Sequence, residues 1–164
     1  MALLKNNAVV EDPFTDVSGQ ETIPAQGAVL VNLDQWQEGR EQLLERTDPV
    51  GVRLKSDQPP ELIADDLESL ALVALEFPVF RDGRAYSYAR LLREQYRFGG
   101  ELRAVGDVLL EQLHFMERTG FDAFEVQSDD PLGDMQIASA DFDVWYQPAA
   151  DGRKSALQLR HPHN

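Results

Sequence analysis

The sequence predicts an α/β fold: a mainly parallel sheet built from consecutive strand-then-helix units, left open or curled like part of a barrel. Three observations carry that expectation. Leu70–Phe77, LALVALEF, is an almost unbroken apolar run of strand length, as a strand buried on both faces requires. A leucine-rich helix is the rival reading, but Pro78 and the RDGR turn stop the run, and helical spacing follows over Tyr86–Arg97. ELRAVG, Glu101–Gly106, then gives a strand, Asp107 caps a helix running to Thr119 and ended by Gly120, and FDAFEV supplies a further strand.

The remaining elements take their places around that series. Leu3–Val10 reads as a first strand, and the polar, turn-rich DPFTDVSGQETIPAQG as a loop, so that residues 1–27 form a strand and an arm. Ala28–Val31 is a short strand. Asn32 caps a helix in which Leu33, Trp36, Leu43 and Leu44 share one face, ending near Arg46. Val50–Leu54 is strand-like, SDQPPE a loop, and Ile63–Ser69 a short helix. A last helix between Pro131 and Ala140, the strand-like DVWYQ and a frayed tail over 151–164 complete a single domain of 164 residues.

Composition narrows the function classes. The absence of cysteine excludes disulfides, thiolate nucleophiles and cysteine-held iron–sulfur clusters, and fits a reducing cytoplasm. The start MALLKNNAVVEDPF has only a short apolar run interrupted at Lys5–Asn7, which reads as neither signal peptide nor membrane span, so a cytoplasmic protein is expected. A net charge of −14 argues against nucleic acid and anionic lipid as partners, and suits a basic one. VGD supplies neither a Walker loop nor GxGxxG, so no nucleotide cofactor is signalled. Asp129, Asp130 and Asp134 lack EF-hand spacing, and His161 and His163 stand in a terminal HPHN, so no metal site is expected. His114 falls on a polar helix flank with Glu111, Glu117 and Arg118 and reads as a surface residue.

Positive charge is gathered in one place. Residues 81–103 hold six of the twelve arginines and carry a net +3, leaving −17 for the rest. Arginine rather than lysine favours planar, bidentate recognition of oxyanions or carboxylates. On the helix, Ala85, Tyr88, Ala89, Leu92 and Tyr96 form the packing stripe and Arg90, Arg93 and Arg97 an adjacent flank, where ion pairs on a solvated face are the plain reading for Arg93 and Arg97. Arg81 and Arg84 differ, because they sit between a buried strand and a helix N-terminus, the edge of a parallel sheet where ligands bind. There backbone N–H groups and the helix dipole attract anions, Ser87 adds a hydroxyl, and Gly83 permits close approach or positive φ. The plainer alternative is a turn held by an Asp82–arginine pair. Gly106 and Asp107 follow the next strand, Glu125–Ser128 end the one after, and all three segments should open onto the same edge. Gln112 lies among Val108, Leu109, Phe115 and Met116 on the packing face, where a buried amide needs partners. The candidate anion- or partner-binding set is therefore Arg84, Ser87, Gly106 and Asp107, supported by Arg81, Asp82, Gly83, Tyr86, Arg90, Arg103 and Gln112.

The block from Leu70 to Val126 resembles a bacterial domain-of-unknown-function family described as an oxidoreductase involved in sulfite reduction. The pattern FP-F-DGR-YS-ARLLRE, then GELRAVGDVL-DQL-FM-R-GFDAFE, is met at Phe77, Pro78, Asp82–Arg84, Tyr86, Ser87, Ala89–Glu94 and Gly100–Leu109, and again at Gln112, Leu113, Phe115, Met116 and Arg118. Arg81 departs from it, standing where threonine is common, which makes Arg84 the better shared residue. The resemblance implies a gene neighbouring the haemoprotein subunit of assimilatory sulfite reductase. It leaves two function classes: an accessory protein acting with that haemoprotein in assembly or electron delivery, or an oxidoreductase component binding sulfite or another small oxyanion at an arginine-lined strand edge.

Overall fold

A computed structural model describes residues 1–133 apart from Asn7, Phe80 and Asp129. The body of the expected last helix, the DVWYQ strand, the 151–164 tail and both terminal histidines lie outside the described residues.

Eight strands form one sheet: β1 (Ala2–Lys5), β2 (Ala8–Val10), β3 (Phe14–Asp16), β4 (Ala28–Asn32), β5 (Val50–Leu54), β6 (Leu72–Phe77), β7 (Glu101–Gly106) and β8 (Ala123–Val126). Their order is β2-β1-β8-β7-β6-β5-β4-β3. From β3 to β8 every neighbouring pair is parallel, and β1 is antiparallel to both β8 and β2. The fold is therefore α/β with a mixed, mostly parallel sheet.

Chain connectivity makes the sheet curl. β2 and β3 occupy opposite edges, yet only residues 11–13 join them. A flat sheet of eight strands would place its edges about 34 Å apart at roughly 4.8 Å per strand. Four extended steps from Val10 to Phe14 reach at most about 14 Å. The edges must therefore approach each other, and the sheet is an open, curled one, part of a barrel. The single strand expected over Leu3–Val10 is accordingly a hairpin, bent where Asn6 takes φ +52°, and the expected arm contains β3.

Alternation along each strand sorts the two faces. Val29, Val31, Val52, Leu54, Val73, Leu75, Leu102, Ala104 and Phe124 point outward into the main core. Helix α1 (Leu33–Leu44) covers them with Leu33, Trp36 and Leu43; its Asn32 cap bonds reciprocally with Gln35, Oδ1 accepting from the Gln35 N–H at 2.8 Å and Gln35 Oε1 from the Asn32 N–H at 2.9 Å. A 3-10 segment over Pro60–Ser69 adds Ile63 and Leu67. Helices α2 (Arg84–Arg90) and α3 (Leu113–Thr119) complete the layer with Ala85 and Ala89, and Leu113 and Met116. Gly120, at φ +115°, ends α3 as expected.

Two helices depart from expectation. The Tyr86–Arg97 helix passes after Arg90 into a wider turn over Leu91–Gln95, where the Tyr96 N–H bonds to Leu91 O at 3.1 Å, and Arg97 turns off at φ +53°. Asp107 does not cap α3: residues 107–109 precede a 3-10 turn over Leu110–Gln112, and Gln112 holds the cap position. A 3-10 turn advances about 120° per residue against 100° in an α-helix, which shifts the phase of α3. His114 is consequently buried rather than on the surface, and Phe115 is 54% exposed rather than within the core.

The inner face is polar at its centre. It carries Lys5, Arg53, Glu76, Glu101, Arg103 and Glu125 beside a small apolar group of Leu30, Leu72, Ala74, Val105 and Phe14.

Candidate functional site

Period-two alternation puts Arg103 inside the curl, because Leu102 and Ala104 on either side of it face the helices. Its side chain is fully buried. The guanidinium donates to both carboxylate oxygens of Asp12, at 2.6 and 3.0 Å, to Glu101 at 2.8 Å and to Glu125 at 3.2 Å, and lies 5.8 Å from the centre of the Phe14 ring. Lys5 meets Glu101 from β1 at 2.6 Å. Burial alone would lower the Arg103 pKa, but Asp12 and Glu101 outweigh it and hold the group charged. Asp12 stands on the three-residue link between the sheet edges, so this bidentate pair ties the seam to β7. Arg103 is thus a partner of internal carboxylates, not a donor at the strand edge.

At the carboxyl edge of β6, β7 and β8 lies an open cleft of about 610 Å³. Phe77, Pro78, Val108 and Leu109 supply apolar wall, and Glu76, Asp107 and Glu125 supply carboxylates. Arg53, held by Asp16 at 3.2 Å and Glu76 at 3.3 Å, is the lining guanidinium, and the amino-terminal residue Met1 lines the same cleft. Gly106 makes the bend at the cleft's base: its φ is +93°, and a Cβ there would stand 2.5 Å from Phe77 O. That carbonyl also accepts the Asp107 N–H at 2.8 Å. The Gly106–Asp107 turn is therefore pinned to the end of β6, at the edge the sequence singles out.

Arg84 is not among the cleft-lining residues. Its guanidinium forks onto Asp82, at 2.9 and 2.6 Å, and Nη2 donates to Ser56 Oγ at 2.9 Å, just beyond β5. The Tyr88 hydroxyl donates to Ser56 O at 3.2 Å. Arg84, the Ser56 hydroxyl and the Arg84 N–H hold the Asp82 carboxyl well below the usual carboxylate range. That backbone N–H, at the start of α2, reaches Asp82 Oδ1 at 3.3 Å. The protein's own carboxylate thus occupies the place expected for an external anion. Gly83 has φ −88°, and a Cβ there would meet only Tyr86, at 3.7 Å, so it supplies neither a positive φ nor a close approach.

The rest of the arginine island divides. Arg90 pairs with Glu94 at 3.2 Å on the surface, whereas Arg81, Ser87 and Arg97 are exposed. Arg93, expected on a solvated flank, is instead a clamp: its guanidinium bonds to the carbonyls of Gly100 at 2.8 Å and Gly120 at 2.9 Å, to Phe98 O, and to Asp122 at 2.9 Å. Tyr86 packs edge-on between Phe77 and Phe115, and burial raises its pKa. Gln112 is half-buried at the start of α3.

Sequence reasoning places Glu125 at the shared edge but misses Arg53 and Glu76, and assigns Glu125 no partner. The signal is present: each is a charged residue at an inward position of a strand whose neighbours are apolar, a pattern that calls for buried or half-buried partners.

Residues 51–157 match the family described as Bacterial protein of unknown function (DUF934). The chain belongs to this family. The match covers β6 to β8 and all but the first residue of β5, and with them most of the cleft lining and of the inner-face charges. No curated protein matches the chain. Among the described residues no helix is long and apolar enough to cross a membrane, and no group of three or more histidine or acidic side chains is arranged to hold a metal ion.

Proposed function

We propose that this protein is an accessory component of assimilatory sulfite reduction, acting with the sulfite reductase haemoprotein in assembly or electron delivery. The pathway rests on the resemblance of the Leu70–Val126 block. The choice of an accessory over an oxyanion-binding role rests on one observation: Arg53, Arg84 and Arg103 are each matched by carboxylates of the chain itself. A small oxyanion would have to displace Asp82 from Arg84 or Asp12 from Arg103, exchanging one charge-assisted bidentate contact for another of the same kind. The cleft beside them carries more carboxylate than guanidinium, which repels sulfite and favours a basic partner.

Deleting the gene tests the reading. The strain should fail to grow with sulfate as sole sulfur source and recover with sulfide but not with sulfite. Normal growth on sulfate, with no second copy to substitute, overturns it. A visible spectrum with flavin or haem absorption from the purified protein would instead favour the oxidoreductase alternative.

A further inference from the structure

We propose that the cleft at the carboxyl edge of β6–β8 receives a basic, amphipathic segment of a protein partner. This rests on the accessory reading above and names the chemistry of its docking site. Two independent features converge. Inside the cleft, Glu76, Asp107 and Glu125 outnumber Arg53 and the Met1 amino terminus; Arg53 already holds Glu76, and Arg103 holds Glu125, so the exposed Asp107 is the lining carboxylate that keeps its charge for a partner. At its rim the chain leaves apolar side chains in water: Pro78 is exposed, and Val79, next along the chain, is 56% exposed. Half-buried Leu109 continues the apolar surface into the wall.

Acidic groups against an apolar wall suit lysine and arginine side chains, whose methylene stems cover apolar surface while the charged head meets a carboxylate. A free metal ion would use the carboxylates and leave the wall idle. A purely apolar segment would strand the carboxylates without water. The opening is wide enough for peptide, since about 610 Å³ exceeds the room a single side chain fills, and pinning by Phe77 O presets the Gly106–Asp107 bend before anything binds. Net charge on the chain, −14, steers a basic partner toward it over longer range.

The test uses a fluorescein-labelled octapeptide of alternating leucine and lysine, with N-acetyl-lysine amide as the small-cation probe. Asp107 is exposed, so Asp107→Lys reverses charge in the cleft with little risk to folding. Glu38→Lys makes the same change of net charge on the exposed side of α1. The proposal expects Asp107→Lys to weaken peptide binding by about tenfold or more, and Glu38→Lys by less than about twofold. Equal weakening by both variants, no binding by wild type, or binding of the lysine amide as tight as that of the peptide each overturn it. A second arm uses purified sulfite reductase haemoprotein. Retention by wild type and Glu38→Lys but not by Asp107→Lys supports the cleft as the docking site. Retention by all three overturns it and leaves the accessory reading standing. Retention by none, with peptide binding as expected, sinks the pathway and keeps the cleft.

Discussion

The two faces of the sheet are held by opposite means. Outward, α1, α2, α3 and the Pro60–Ser69 segment press apolar side chains onto apolar strands, and each contact adds a little independently of the next. Inward, three carboxylates and Lys5 gather around the fully buried Arg103, with Glu101 nearly buried and Asp12 and Lys5 reaching toward water. Such a cluster adds little net stability, because desolvating the charges consumes most of their attraction, but breaking it by halves is costly. The outer face therefore makes the fold stable, while the inner face makes one closure of it specific, through a link of only three residues.

Single substitutions separate these roles. Arg103→Met should lose about 3–5 kcal/mol in urea unfolding, because Asp12 and Glu125 remain charged without their cation. Adding Asp12→Asn and Glu125→Gln to that variant should recover more than half of the loss, leaving the Lys5–Glu101 pair intact. A triple variant no better than the single one would mean that the network is needed for stability itself. On the outer face, Leu75→Ala should cost about 2–4 kcal/mol, and no second polar substitution should restore it, since a cavity remains.

A smaller effect concerns acid. Asp66 accepts from the Trp36 indole N–H at 3.1 Å and from the fork of Arg40; the Arg40 contact, aided by the indole, lowers its pKa against the effect of burial. With the folded pKa below the unfolded value of about 3.9, this contribution is fully present above that value and lost as pH falls through the folded pKa. Asp82, depressed by Arg84, acts in the same direction. Asp66→Asn should therefore flatten part of the acid limb of a stability–pH curve measured below about pH 4 and leave the neutral region parallel to wild type. An unchanged acid limb would contradict the Arg40–Asp66 assignment. Smallest of all, Arg90→Ala should change stability by no more than about 0.5 kcal/mol, because its pair with Glu94 is exposed at i,i+4 spacing.

The same contrast explains what could be read from the sequence. Buried parallel strands are apolar runs, so Ala28–Asn32, Val50–Leu54, Leu72–Phe77, Glu101–Gly106 and Ala123–Val126 announce themselves, as do the Asn32 cap and the Gly120 stop. The seam does not: β3 is Phe-Thr-Asp, mostly exposed and polar, and its meaning depends on a partner edge far away in the order of strands. Arg103 is visible as a charge within a strand, but Asp12 is 91 residues distant, and local spacing cannot pair them. Arg84 and Asp82 stand two apart, which is why the self-paired turn is already an alternative in the sequence. His114 and Phe115 exchange environments because the 3-10 turn before α3 rotates the helix in a way that a continuous 100° wheel misses. The Gly106–Asp107 edge is legible from strand order alone; the acidity of the cleft is not, since it depends on which face Glu76 and Glu125 take.

Complementation of the deletion strain tests the central claim, that the acid-lined strand edge serves sulfite reduction. Wild type, Glu38→Lys and Asp107→Lys would be expressed at equal soluble levels, and growth rate measured with sulfate as sole sulfur source. Wild type and Glu38→Lys should restore growth, and Asp107→Lys should not, although sulfide should rescue it. Full growth with Asp107→Lys would contradict the account.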